Sequence, residues 1–319
     1  MNAPTTSTAR STANPNQRYN RREFLRAALP GAGLAATFPA FLGLPGTARA
    51  AASFAGQDQV KLGKTGINAS RLAQGTGYNG SARSSDHTRM GKEAFDRLLR
   101  HSLDCGVSFV DMADLYGSHP FVRDVIKGIA RDKLVLLSKV WPRKEDWVTP
   151  SGGARTEVDR FRQELGTDVL DICLIHCMTD AKWADSFARV RDELSELKRQ
   201  KVIRAAGVSC HDFGALKLAA SHPWVDVIFA RINHKGGADY SMDGPADEVA
   251  EVLRLARKNG KAVIGMKIFG AGKLVKPEEK DTSLKYVLAG GLVDAITVGM
   301  KTTEEVDDTL QRMSRVPSA

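Results

Sequence analysis

From about residue 58 onward, short apolar runs alternate with amphipathic stretches eight times, and this alternation restricts the possible folds more than any other feature of the chain. A short apolar run bounded by turn residues reads as a buried strand. A stretch with apolar residues every third or fourth position reads as a helix with one buried face. The runs span residues 71–75, 107–113, 134–140, 169–176, 203–209, 225–232, 262–268 and 293–299. Helical patterns follow at 92–105, 121–131, 156–165, 184–201, 213–221, 246–258, 283–289 and 303–313. Strands separated by helices pair in parallel, and eight complete units in residues 58–319 match a closed (β/α)8 barrel, for which about 250 residues is typical. A doubly wound open sheet fits less well, because no GxGxxG follows the first run. Ahead of that run, residues 60–71 carry a Lys64-Thr65-Gly66 turn between apolar segments, which predicts a small hairpin closing the bottom of the barrel.

The formal net charge of +9 would fit a nucleic-acid or membrane partner if it were spread over the barrel. Residues 1–50 hold six arginines and one acid, however, so the remainder carries only +4 and nucleic acid is not an expected partner. This N-terminal segment has an ordered makeup. A polar start leads to Asn20-Arg21-Arg22-Glu23-Phe24-Leu25-Arg26, then an apolar stretch over 27–44, then the small-residue site Ala48-Arg49-Ala50. It resembles a twin-arginine signal peptide. That resemblance implies export to the periplasm through the twin-arginine machinery, with residues 1–50 as signal and 58–319 as the barrel. Pro30, Pro39, Pro45 and the intervening glycines argue against a stable membrane span in the mature form. The cysteines, Cys105, Cys173, Cys177 and Cys210, show no CxxC and no zinc or iron–sulfur spacing, so they read as small apolar fillers and no metal is expected.

Working groups in such a barrel stand at the C-terminal ends of the strands. Asp111 lies late in the second run, with Tyr116 in the loop after it, Lys139 closes the third, and His176 closes the fourth. A lysine and an aspartate inside apolar runs are costly unless they pair, and a phenol beside an ammonium has its phenolate favoured. Each residue alone could be structural: a buried ion pair, a core histidine, a loop aromatic. At three consecutive strand ends they point together to acid–base chemistry.

These residues, in this order and context, resemble the tetrad of the aldo-keto reductase family. The similarity covers residues 58–319, from Leu62-Gly63-Lys64-Thr65-Gly66 through the five-residue offset of Asp111 and Tyr116. It implies hydride transfer between nicotinamide C4 and the carbonyl carbon of an aldehyde, ketone or sugar. Tyr116 would donate the proton, Lys139 would lower its pKa, Asp111 would hold Lys139, and His176 would orient the carbonyl.

The same resemblance implies cofactor contacts from Gly75, Thr76, Ser209, Cys210, Asn233, Met266, Lys267, Phe269, Gly270, Gly299, Lys301 and Thr302. Cys210 stands where the family usually has asparagine, Phe229 where it has glutamine, and Met266 near the position of its stacking aromatic. Lys301 and Thr302 match a segment that grips the adenosine 2′-phosphate, which favours NADP, while Glu304 and Glu305 beside them leave NAD open. Trp141 and Trp147 are the expected apolar walls of the substrate pocket. A second class of function, an exported cofactor-binding redox module or sensor, would not need an intact tetrad.

Overall fold

Each apolar run becomes a parallel strand, and the last strand pairs with the first to close the ring. The structure, a computed structural model, describes residues 53–142 and 153–318, so the signal segment and Trp147 lie outside the described residues. The described residues form a single compact unit.

The chain enters the described region through an antiparallel hairpin, β1 (Gln59–Lys61) and β2 (Asn68–Ser70), as the turn chemistry predicts. The barrel strands are β3 (Leu72–Gly75), β4 (Phe109–Asp111), β5 (Val135–Val140), β6 (Leu170–Met178), β7 (Ile203–Cys210), β8 (Val227–Arg231), β9 (Ala262–Met266) and β10 (Ala295–Val298). Each pairs with its sequence neighbours, and β10 pairs with β3.

Among the described residues the helices are α1 (Asp86–Arg89), α2 (Lys92–Asp104), α3 (His119–Ile126), α4 (Ala154–Leu165), α5 (Trp183–Ser186), α6 (Ala188–Arg199), α7 (Phe213–Ser221), α8 (Ala246–Lys258), α9 (Pro277–Ala289) and α10 (Thr303–Ser314). None of them is long and apolar enough to cross a membrane. Three differ from the sequence pattern for local reasons. The pattern at 121–131 ends at Ile126, because Lys127, at φ −55° and ψ 121°, and Gly128, at φ +87°, leave the helical region. The pattern at 184–201 breaks at Phe187, whose φ of −111° and ψ of 28° are not helical. The pattern at 283–289 starts earlier because Pro277 opens the first turn and Glu278 and Glu279 meet the positive helix end.

The core has two shells. Inside the ring, Ala73, Phe109, Leu137, Ile172, Leu174, Ala205, Val227, Phe229, Ile264 and Ala295 pack together with Leu62 and Ile67 of the hairpin. Between ring and helices lies a larger cluster that includes Val110, Leu136, Cys173, Val208 and Ile228. Strand alternation explains the division, since neighbouring residues face opposite sides. Leu62 and Ile67 are fully buried and each contributes about 1.5–3 kcal/mol of apolar burial at the barrel floor. The plug is seated by backbone: Lys64 N–H donates to Gly260 O at 3.0 Å. Gly63, at φ +49°, lies so close to β9 that a Cβ would come within 2.5 Å of Ala262 N. The floor is closed, and chemistry is left to the opposite end.

Candidate active site

Parallel register brings the tetrad together. Asp111, the last residue of β4, is opposite Leu137 of β5, and Lys139 stands two residues further on, facing the same side. Lys139 pairs in turn with Leu174 of β6, two residues before His176. Tyr116 is delivered by a tight turn, Asp114–Tyr116, directly after β4. Lys139 Nζ donates to Asp111 Oδ1 and, at 2.9 Å, to Met112 O. The ammonium lies 5.0 Å from the centre of the Tyr116 ring and 4.8 Å from that of Phe229. His176 meets the Tyr116 ring edge-on at 5.7 Å, and Trp141 meets His176 edge-on at 5.6 Å.

Asp111 is held from a third strand. Thr297 Oγ1 of β10 donates to Asp111 Oδ2 at 3.0 Å. Its route passes over β3 at Gly75, where a Cβ would stand 3.1 Å from Thr297 Oγ1, so the missing side chain keeps the path open. Thr76 supports the same aspartate from behind, its Oγ1 donating to Asp111 O at 2.8 Å.

The electrostatics differ from the sequence expectation at one point. Burial and the nearby Asp111 charge, with Cys177, push the Tyr116 phenol well above its ordinary value, so the net shift is upward despite the neighbouring Lys139 ammonium. Burial likewise pulls the Lys139 ammonium down, against the upward pull of Asp111. The site therefore holds a neutral phenol beside a buried ion pair.

A cleft of about 400 Å³ runs from Asp111 and Tyr116 along the ends of β3, β9 and β10 to Asp308 and Thr309. Gly75, Met266, Lys267, Phe269, Gly299 and Lys301 line it, as expected of cofactor contacts. The other six do not line the cleft. Thr76 is buried against Asp111 O and Ser118 Oγ. Ser209 Oγ accepts the Cys177 N–H at 2.8 Å, bracing a bulge in β6. Cys210 faces the outer core, because it follows inward-facing Ser209 on an alternating strand. Asn233 is fully buried; its amide donates to Tyr240 O and Lys267 O and accepts from two backbone N–H groups of its own loop. Gly270 is buried at φ +58° and forms the turn that carries its neighbours. Thr302 caps α10, accepting from Glu305 N.

The cleft suits an elongated anion. Lys267 is largely enclosed at φ +59°, and no carboxylate among the described residues pairs with its ammonium. Burial first, then Arg231 and Lys139, hold its pKa down, while Asp111 raises it. An anionic ligand would relieve that uncompensated charge. At the far end Lys301 is already engaged: its Nζ lies 3.6 Å from Asp86 and over the Tyr78 ring, and its backbone N–H donates to Glu305 at 2.7 Å.

Several site residues were not singled out from sequence. Thr297 could have been, as the one hydroxyl in the apolar run Ala295-Ile296-Thr297-Val298. Gly77 and Gly80 embrace the Tyr116 ring so closely that a Cβ on either would come within 2.2 and 2.5 Å of ring carbons. Tyr78 spans the cleft, donating to Ala271 O at 3.2 Å.

The chain is similar to known proteins along most of the barrel. A model of the Aldo/keto reductase family matches residues 72–313. The NADH-specific methylglyoxal reductase of Escherichia coli is 27% identical over 219 residues, covering 63% of this chain and 64% of that protein. The glyoxal reductase of Bacillus subtilis is 31% identical over 121 residues, 37% of this chain and 41% of that protein. The chain thus aligns with less than two thirds of the length of these relatives. Among solved structures, an aldo-keto reductase from Pseudomonas aeruginosa superposes with a TM-score of 0.65 at 21% identity, covering 82% of this chain and 97% of that one. The holo form of an aldo-keto reductase from Bacillus halodurans gives 0.63 at 21% identity, with coverages of 82% and 92%. At these identities the structures establish a common fold.

Proposed function

We propose, for a chain that belongs to the aldo/keto reductase family, that it reduces a small carbonyl compound to an alcohol with a nicotinamide cofactor, Tyr116 giving the proton. The observation that carries this reading is the convergence of Asp111, Tyr116, Lys139 and His176 at the head of a cleft lined by an unpaired lysine. A nicotinamide dinucleotide bound along the cleft would supply the two electrons as hydride. Tyr116, raised by burial, keeps its proton at neutral pH and can release it only to a strongly basic oxygen such as a forming alkoxide. Lys139 stands close enough to stabilise the phenolate left behind, and Asp111, anchored by Thr297, fixes the ammonium there. His176, braced edge-on by Trp141, orients the carbonyl oxygen. A purely cofactor-binding module would have no use for this arrangement, so the sensor reading is the weaker one.

Three finer points belong to the same proposal. Trp141 stands against His176, a large apolar wall where the carbonyl would lie, and the relatives named for methylglyoxal and glyoxal put small dicarbonyls first among aldehydes, ketones and sugars. Sequence favours NADP at Lys301 and Thr302, but Lys301 is already engaged by Asp86, and Glu305 and Asp308 line that end of the cleft beside Lys280, which leaves little free positive charge for a 2′-phosphate. The geometry therefore supports NADH as the better cofactor, in keeping with the NADH specificity named for one relative. The twin-arginine segment supports export to the periplasm, by a route that carries folded, cofactor-loaded proteins.

The test is to purify the full chain, read its absorbance for bound nicotinamide, titrate NADH and NADPH separately, and follow reduction of methylglyoxal. Binding with turnover supports the reductase; failure to bind either nucleotide overturns it. For export, replacing Arg21 and Arg22 by lysine is expected to retain the protein in the cytoplasm, read by cell fractionation, and unchanged fractionation would remove that part of the reading.

A further inference from the structure

Barrel closure also brings together three potential metal ligands that are far apart in sequence. His101 and Cys105 stand one turn apart near the end of α2 and face Asp307 on α10, because the first and last helical layers of a closed ring are neighbours. None of the three lines the cleft. His101 Nε2 lies 2.8 Å from Asp307 Oδ1, Cys105 Sγ lies 3.7 Å from His101 Nε2, and Cys105 Sγ lies 3.9 Å from Asp307 Oδ1. Tetrahedral zinc, with bonds of about 2.3 Å to sulfur and about 2.0–2.2 Å to nitrogen or oxygen, sets its ligand atoms roughly 3.3–3.6 Å apart. The observed triangle needs shifts of only a few tenths of an ångström to match.

We propose that His101, Cys105 and Asp307 form a three-ligand site for a divalent transition metal, zinc before others, that clips α2 to α10 and leaves the fourth position to water.

The donor set decides the class of ion. One thiolate, one imidazole and one carboxylate suit zinc, cobalt, nickel or copper, whereas calcium and magnesium require oxygen ligands. The charges also suit it: a thiolate and a carboxylate neutralise a dication, and the acids Asp104 and Glu304 stand beside the ligands. A thiol must lose its proton to bind the ion, so binding tightens as pH rises. The i, i+4 spacing on α2 presets two ligands on one face, and the barrel supplies the third. Asp307 is 61% exposed and His101 32%, so an ion has a direct way in.

This inference does not rest on the catalytic reading, because its ligands are on the outer wall. The test uses the full chain without an added histidine tag, titrated with Co²⁺ and back-titrated with Zn²⁺. The expected result is one equivalent bound, with a thiolate-to-cobalt charge-transfer band and tetrahedral visible bands that Zn²⁺ displaces. Cys105→Ser and His101→Ala should each abolish the bands, and Asp307→Asn should weaken binding at least about tenfold. Zn²⁺ at about a hundred times its Kd should raise Tm by roughly 5 °C, and by nothing in Cys105→Ser. Far-ultraviolet circular dichroism and nucleotide binding show that the variants remain folded. Absence of the bands, or bands that persist in either Cys105→Ser or His101→Ala, would overturn the site.

Discussion

Two clusters of buried charge lie on opposite faces of β5, and they are built to different ends. Lys139 points into the barrel mouth, where it meets Asp111. Ser138, one residue earlier, points outward, where its Oγ lies 2.8 Å from His119 Nε2. His119 leads into a network behind the barrel: its Nδ1 is 2.9 Å from Glu164, Arg83 reaches Glu164 at 2.6 Å, and Arg160 contacts Asp114, Glu157 and Glu164. In the outer cluster each charged side chain has an opposite partner. Burial pushes Glu164 up, but hydrogen bonds from His119, Arg83 and Arg160 outweigh it and hold its carboxyl at about 2. In the mouth, by contrast, the Tyr116 hydroxyl and the Lys267 ammonium have no hydrogen-bond partner among the described residues, and both face the cleft. A closed network holds parts together, while an incomplete one is completed by what enters.

The largest expected effect separates the clusters by rate. Tyr116→Phe should lower carbonyl reduction by about 10²–10⁴-fold while leaving the melting temperature and nucleotide affinity close to wild type. Unchanged turnover would remove Tyr116 from the chemistry. The complementary change is Arg160→Met, which removes the arginine shared by Asp114, Glu157 and Glu164 and should cost about 3–5 kcal/mol of stability by denaturant unfolding. Its kcat, measured on the folded fraction, should stay within about twofold of wild type. A selective loss of kcat would break the comparison.

A smaller effect concerns acid. Because Glu164 is depressed in the folded state, its contribution is full above its ordinary value of 4.5 and is lost as pH falls through about 2. Glu164→Gln should therefore be less stable by about 2–3 kcal/mol at pH 7, with the gap to wild type shrinking as pH falls from 5 to 2. A constant gap would remove the network's charge from the account. Smallest, Thr297→Val deletes one hydrogen bond to Asp111 and should cost about 1 kcal/mol and at most about tenfold in kcat, with KM little changed. A larger loss in KM than in kcat would make Thr297 a binding rather than a positioning residue.

The sequence was legible wherever periodicity carries the information. Eight strands, the basal hairpin and the four tetrad residues follow from alternation and from polar residues placed at strand ends. It was illegible wherever side-chain direction or a distant partner decides. Ser209 and Cys210 are adjacent, yet one braces a bulge and the other fills the outer core. Asn233 has the right type in the right loop, but its amide is consumed by the backbone around it. The Glu164 network reaches back to Arg83 and His119, and only its pairs within α4, Arg160 with Glu157 and with Glu164, have a helical spacing to announce them.

By itself, the order of apolar and polar residues determined that this chain forms a (β/α)8 barrel with Asp111, Tyr116, Lys139 and His176 at one end, because burial and hydrogen-bonding periods are local properties of the chain. Tertiary closure alone decided which groups meet: Thr297 with Asp111 across Gly75, Lys301 with Asp86, and His101 and Cys105 with Asp307. Each of these joins the last βα unit to the first or second. The energy of such a contact depends on distances of a few ångströms between residues roughly 200 positions apart, and no sequence pattern carries that separation.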